Sequence, residues 1–330
     1  MRILVTGAAG FFGHHLVARL LEQEWVTQVV GLVRVGKVGT LARLGVVVQI
    51  LAGAGESRRL ELVHHDLRSP INRFTAGEIG EVDAILHVGA ETHVDRSIQD
   101  PQSFVESNVL GTLHLLEFAR RLPGLKWFNY FSTDEVYGPQ PNGHLSLEGD
   151  PYNATNPYSA SKAGAEQLCL AFANTYSLPV FVTNTMNLFG ERQHPEKFIP
   201  KVIRSIQRGE KLIIHADPTR TIPGSRFYLY ARDAADGLIF CLQNAEQRGR
   251  YNLVGSEEID NLDLALRIGR IMDSMVRYEL VDFHSSRPGH DLRYALSGEK
   301  LAGMGWRPAT DFSAALRRTV LWTLEHPEWL

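Results

Sequence analysis

Cysteine is nearly missing from this chain: Cys169 and Cys241 are the two in 330 residues. Two thiols cannot build a disulfide framework or a thiolate zinc site. A charge surplus is missing as well. Lys and Arg total 34 against 37 Asp and Glu, a net charge of −3, which argues against a nucleic-acid binder, since phosphate contacts require a basic excess. Long hydrophobic runs are absent. The opening Met1-Arg2-Ile3-Leu4-Val5-Thr6-Gly7 is too short for a signal-peptide core, and no later segment reaches about eighteen uninterrupted apolar residues. No internal repeat or low-complexity tract stands out. The 13 histidines include the pairs His14-His15 and His64-His65, yet none shows a metal-ligand spacing such as HExxH. These absences predict a soluble protein of a reducing cytoplasm, with no metal, no nucleic-acid partner and no membrane partner.

Present instead is an ordinary globular composition, 44% hydrophobic and 22% charged, over a length that suits one large or two moderate domains. Short apolar, β-branched runs alternate with stretches of helical period, the pattern of a parallel sheet with crossover helices. The runs predict strands at Arg2–Thr6, Gln28–Val33, Leu60–His64, Ala84–Val88, Trp127–Ser132 and Val180–Thr183. Helices are predicted near Phe12–Glu22, Gln102–Arg121 and Ser159–Tyr176. The expected fold class is α/β, a doubly wound parallel sheet (Rossmann fold) with a smaller α/β substrate-binding lobe. The dinucleotide-binding domain is placed at 1–186 and the second lobe at 187–330, interleaved, with parts near 225–245 returning to the first. One apolar stretch, Gly45–Glu56, fits a strand, a helix end or an exposed flap equally.

Gly7-Ala8-Ala9-Gly10-Phe11-Phe12-Gly13 follows the first predicted strand and opens a predicted helix. That context suits a cofactor loop: a tight turn, close backbone approach to a pyrophosphate, then helix amides facing negative charge. The spacing is GxxGxxG rather than GxGxxG. At the end of the second strand, where a carboxylate ordinarily binds the adenosine ribose, stand Val33 and Arg34. Arg34 is either a receptor for a 2′-phosphate, favouring NADP, or a solvated surface arginine. Asp66, after the third strand, either accepts from an adenine amino group or caps the next element.

Tyr158 and Lys162 lie four apart in Asn156-Pro157-Tyr158-Ser159-Ala160-Ser161-Lys162. The spacing puts both side chains on one helix face. An ammonium beside a phenol is expected to lower its pKa, so that the phenolate can take a proton from an alcohol. Just upstream, Ser132-Thr133-Asp134-Glu135-Val136-Tyr137-Gly138 leaves the carboxyl end of a predicted strand, where a ligand crevice lies. A hydroxyl and two carboxyl groups there can supply a hydrogen-bond donor, a general acid and a general base.

Together the glycine loop and Tyr158-x-x-x-Lys162 resemble the extended short-chain dehydrogenase/reductases that act on nucleotide sugars, the epimerase/dehydratase family. Within that family the chain is most similar to the dTDP-glucose 4,6-dehydratases and their UDP-glucose counterparts. The stretches that carry the likeness are Ala90–Ile98, Asn108–Thr112, Ser132–Gly138, Asn156–Glu166, His194–Ile203 and Arg287–Leu296. The resemblance implies NAD held by Gly7, Gly10, Phe11, Phe12, Gly13, Arg34, Asp66, Leu67, Val88, Ala90, Asn108, Ser132, Tyr158 and Lys162. It implies a sugar nucleotide near His93, Asp95, Ser97, Thr133, Asn187, Lys197, Arg226, Asn261, Arg287 and His290. It further implies oxidation at C4 by Tyr158 with Lys162 and Thr133, loss of water across C5–C6 by Glu135 and Asp134, and hydride return to C6. A homodimer through Gln102–Arg121 and Ser159–Tyr176 is also implied. The chain departs from the pattern at Val33-Arg34, which looks more like the NADP-using GDP-mannose dehydratases, at Asn184–Glu191, and at Ala216–Tyr228. A 4-epimerase or decarboxylase on the same scaffold, or a catalytically idle dinucleotide-binding protein, are the competing readings.

Overall fold

The computed structural model describes every residue except 35–40, 54, 142 and 284–291. Its described residues form two compact units. The first takes residues 1–136, 156–184 and 235–251, and the second 137–155, 185–234 and 252–330.

The first unit is built on one sheet. Its strands are β1 (Arg2–Thr6), β2 (Gln28–Val33), β3 (Leu60–His64), β4 (Ala84–His87), β5 (Trp127–Thr133), β6 (Val180–Thr185) and β11 (Arg250–Leu253), ordered β11-β6-β5-β4-β1-β2-β3. The ladders β3–β2, β2–β1, β1–β4 and β4–β5 are parallel. Strands covered by helices on both faces must be apolar throughout. Ile3, Leu4, Val5, Val29, Val30, Ile85 and Leu86 are accordingly buried. The helices are α1 (Phe11–Leu21), α2 (Ala42–Gly53), α3 (Arg73–Ile79), α4 (Val94–Gln99), α5 (Pro101–Phe104), α6 (Gly111–Ala119) and α7 (Pro157–Tyr176). The fold class read from the sequence is the one observed.

Three local readings change. Gly45–Glu56 lies mostly in α2, where Leu44 and Val47 are buried. The predicted helix Gln102–Arg121 is α5 and α6 separated by a π turn at Val105–Leu110. A seventh strand, β11, was not expected; its four residues Arg-Tyr-Asn-Leu offer too little pattern.

In the second unit, β7 (Leu188–Phe189) pairs in parallel with β10 (Leu229–Tyr230), β8 (Leu212–Ala216) with β13 (Tyr278–Asp282), and β9 (Ser225–Phe227) antiparallel with β12 (Glu258–Asp260). Helices α8 (Phe198–Gln207), α10 (Asn261–Ile271) and Phe312–Glu325 pack Val202, Ile203, Leu264, Ile268, Leu316 and Val320 into a core with Phe189, Ile214 and Tyr230. The helix α9 (Ala231–Asn244) starts here and ends in the first unit. The long Ala216–Tyr228 segment opens with a turn organised by Asp217, whose carboxylate accepts from the backbone N–H groups of Thr219, Thr221 and Ile222, and then runs into β9.

Candidate active site

β1 ends at Thr6, and Gly7 turns the chain at φ +64°. The turn is tight enough to exclude side chains. A Cβ on Gly7 would lie 2.6 Å from the Gly89 Cα, and one on Gly13 would lie 2.0 Å from the Gly7 carbonyl oxygen. Gly10 N–H donates to that same oxygen at 2.8 Å. Gly10 is also the N-cap of α1, which has no side-chain cap and no acidic residue in its first turn. Amides of a first helical turn have no intrahelical acceptor, so this end of α1 suits an anion. Phe12 stacks on Phe131 of β5 at 4.3 Å and 18°, which ties the loop to the strand that carries Thr133.

Around the loop, the ends of β2, β3 and β4 gather most of the other expected cofactor residues. Arg34 forms an ion pair with Glu91 at 3.0 Å, and Asp66 forms one with Arg68 at 2.6 Å. Hydrogen bonds from Arg68 hold the Asp66 carboxyl below its usual range, with burial opposing. The Leu67 carbonyl takes a hydrogen bond with the His114 ring, while Val88 and Ala90 are half-buried just past β4. Asn108 sits in the π turn. Its amide accepts from Glu91 N–H at 2.9 Å and donates to the Glu91 carbonyl at 3.0 Å and to Ser161 Oγ at 2.9 Å. Ser132 is buried, and its hydroxyl has no partner among the described residues.

The expected catalytic residues all lie in the first unit. Thr133 closes β5, and Asp134 and Glu135 open a short turn to Tyr137. Thr133 Oγ1 donates to Asp134 Oδ1 at 2.8 Å and accepts from Glu135 N–H at 3.4 Å. Asn156 caps α7, with a reciprocal Asn156–Ser159 capping box and Pro157 at the first helical position. Its Nδ2 donates to Glu135 Oε2 at 3.1 Å. Tyr158 N–H donates to Ser97 Oγ at 3.1 Å, so Ser97 anchors the start of α7. One turn on, Lys162 Nζ donates to the Phe131 carbonyl at 2.7 Å and lies 4.2 Å from the centre of the Tyr130 ring.

This geometry corrects one expectation. Tyr158 is not made more acidic by Lys162. Burial, Glu135 and Asp134 push the phenol above its ordinary value, and the Thr133 hydrogen bond opposes them. The leading cause is burial, which strips water from the charged phenolate. Burial in turn lowers Lys162 to about 7, against the pull of Glu166. At the end of β4, His87 is held down to about 3 by burial, and its ring bonds Thr6 Oγ1 at 2.7 Å and Thr112 Oγ1 at 2.9 Å.

The expected sugar-nucleotide residues fall into separate groups. His93 precedes α4, and Asp95 lies exposed in its first turn. In the second unit, Arg226 in β9 donates to the Ser225 and Leu292 carbonyls, both at 2.6 Å, and stacks 4.5 Å over Tyr294. Asn261 begins α10, and its Oδ1 accepts from Tyr228 OH at 3.0 Å. The Asn187 carbonyl accepts from Leu229 N–H, and Lys197 precedes α8. Arg287 and His290 lie outside the described residues. Glu91, Asn156, Asn184 and Glu166 were not expected. Glu166 is fully buried, four residues beyond Lys162, and accepts from Asn184 Nδ2, which also donates to the Thr133 carbonyl. The recurring four-residue spacing from Tyr158 through Lys162 to Glu166 was the available signal.

The family model for the NAD dependent epimerase/dehydratase family matches residues 3–254. The chain belongs to this family. Within it, the dTDP-glucose 4,6-dehydratase of Salmonella typhimurium is 34% identical, over 100% of this chain and 94% of that one. A trifunctional Arabidopsis thaliana protein named for UDP-glucose 4,6-dehydratase is 35% identical, over 99% of this chain and 48% of its own length. Among solved structures, the dTDP-glucose 4,6-dehydratase of Streptomyces venezuelae, crystallised with NAD, superposes with a TM-score of 0.86 at 35% identity. That match covers 100% of this chain and 98% of that one. No described helix is long and apolar enough to cross a membrane.

Proposed function

We propose that this chain is an NAD-dependent nucleotide-sugar 4,6-dehydratase that converts dTDP-glucose or UDP-glucose to the 4-keto-6-deoxy sugar. The observation that carries the reading is Thr133, Asp134 and Glu135 at the end of β5, beside the α7 terminus that presents Tyr158 and Lys162. Full-length likeness to dTDP-glucose 4,6-dehydratases supports it. The glycine loop fits a dinucleotide, because added Cβ atoms at Gly7 and Gly13 would collide with backbone. The groups around it that would hold NAD are Gly7, Gly10, Phe11, Phe12, Gly13, Arg34, Asp66, Leu67, Val88, Ala90, Asn108 and Ser132. NAD, when bound, supplies the acceptor for a hydride from C4 and the donor that returns it to C6.

Tyr158 takes the proton of the sugar 4-hydroxyl, and Thr133, which already lowers the phenol, hydrogen-bonds the same oxygen. Lys162, one turn along the same face of α7, is assigned to aid that proton transfer. A 4-keto group acidifies the C5 proton, and Glu135, oriented by Asn156, removes it. Asp134 protonates the departing 6-hydroxyl, with Thr133 fixing its carboxyl. Arg226 is assigned to the diphosphate, where a planar guanidinium matches phosphate oxygens. Asn187, Lys197, Asn261, Arg287, His290, His93, Asp95 and Ser97 complete the substrate assignment. In domain terms, 1–186 is assigned as the cofactor domain and 187–330 as the sugar-nucleotide lobe, with 137–155 contributed to the second unit and 235–251 returned to the first. A cytoplasmic homodimer completes the reading: both cysteines are buried and form no disulfide, and Val105, Leu110 and Tyr176 expose apolar surface on the two helical stretches assigned to pairing.

Incubation with dTDP-glucose and with UDP-glucose tests this. A 4-keto product absorbing in alkali is expected from at least one donor, and its loss in Glu135→Gln and Tyr158→Phe. Epimerised or decarboxylated product without the keto sugar would move the chain to the competing chemistry on this scaffold. Unchanged activity in both variants would remove the mechanism.

A further inference from the structure

We propose that Glu91 selects the cofactor: by occupying Arg34, it holds the site to a dinucleotide whose adenosine ribose carries no 2′-phosphate. The inference rests on the NAD reading above. Arg34 directly follows β2, the position from which a ribose-binding side chain acts, and an arginine there is by its chemistry a phosphate receptor. Its guanidinium is already engaged. Arg34 Nη2 lies 3.0 Å from Glu91 Oε1, and both side chains are largely covered, 36% and 23% exposed.

The pair is placed where it matters. Glu91 follows β4, Arg34 follows β2, and β1 lies between those strands in the sheet. The ion pair therefore spans the carboxyl end of β1, from which the glycine loop departs. The Glu91 carboxylate is presented by a fixed backbone, because Asn108 bonds both its N–H and its carbonyl and is itself tied to Ser161 of α7. A second carboxylate, Asp66 at the end of β3, also feels Arg34, and Arg68 pairs with it. Arg34 and Arg68 thus sit among the carboxylates of Asp66, Glu91 and Glu106. Among the described residues no positive surplus remains there for a doubly charged phosphate, which would have to displace Glu91 and sit beside a like charge.

The test is an exchange competition on the full chain. Purified protein is incubated with equimolar NAD⁺ and NADP⁺, freed of unbound dinucleotide and denatured, and the released cofactors are quantified by mass spectrometry. The wild type is expected to release mainly NAD⁺. Glu91→Gln leaves the Asn108 backbone bonds possible and is expected to shift the ratio toward NADP⁺ by about tenfold or more. Adding Arg34→Gln to that variant should reverse the shift. Glu91→Ala, which leaves Arg34 unpaired in the same way, should shift the ratio in the same direction and keeps the question answerable if Glu91→Gln does not fold. An unchanged ratio in a folded Glu91→Gln or Glu91→Ala protein, or a wild type that prefers NADP⁺, would overturn the proposal. A wild type that holds neither dinucleotide would instead overturn the cofactor reading beneath it.

Discussion

Lys162 is pulled two ways: burial strips water from its ammonium, while Glu166, one helical turn away, favours the charge. Its Nζ donates to the Phe131 carbonyl, so removing the ammonium leaves that buried acceptor without its donor. Lys162→Met is expected to lower kcat on the order of a hundredfold or more, measured with whichever donor the wild type turns over. His87 makes a prediction about stability rather than rate. Its pKa is about 3 in the fold against 6.5 when free. Between those values the unfolded chain binds the additional proton, so acidification favours unfolding. The stabilising contribution is complete above pH 6.5 and lost as the pH falls through about 3. His87→Gln should therefore show a shallower fall in Tm from pH 6.5 to 3.5 than the wild type. An equal slope would mean that this residue does not carry the acid sensitivity.

Elements decide whether those residues meet. The glycine loop closes only because Gly13 has no side chain, with the Gly7 oxygen 2.0 Å from where a Cβ would be. Gly13→Ala should weaken NAD binding at least about tenfold in a titration, because the α1 terminus must move away from β1. At the other side of the site, Asn156 serves two roles: its Oδ1 caps α7, and its Nδ2 holds Glu135. Asn156→Asp keeps the cap but loses the donor, so kcat should fall while stability changes little. Asn156→Ala loses both and should also cost about 1 kcal/mol in denaturant unfolding. Equal kcat in both variants and the wild type would show that Glu135 needs no such partner. Much of this level was legible in the sequence. Strands β1, β2 and β4 read as nearly continuous apolar runs because they are buried inside the sheet, and Gly7–Gly13 and Tyr158–Lys162 declare themselves by spacing. The Gly45–Glu56 run was ambiguous because its β-branched valines suit a strand while its length suits a helix. The Phe131 carbonyl on Lys162 and the Glu91–Arg34 pair join residues 31 and 57 positions apart. Such pairings arise only once the sheet order is set.

At the scale of the whole molecule, the homodimer proposal gives a mass to measure. One chain is 36.9 kDa, so light scattering on the eluting protein should report about twice that. Leu110→Glu combined with Tyr176→Glu should return the monomer mass, since a buried charge without a partner opposes association. A wild-type monomer would remove the dimer from the reading.

The chain also crosses between its two units repeatedly, and the central sheet takes its edge strand β11 from residues 250–253. During synthesis the first unit therefore cannot complete its sheet when its first 184 residues have emerged. It must wait, with the open edge of β6 unpaired, until β11 ends at residue 253, about 70 residues later, several seconds at ordinary translation rates. Newborn chains of this protein should be most exposed to aggregation and to chaperones in that interval. A truncation after residue 184 should be insoluble where one after residue 253 retains a protected sheet.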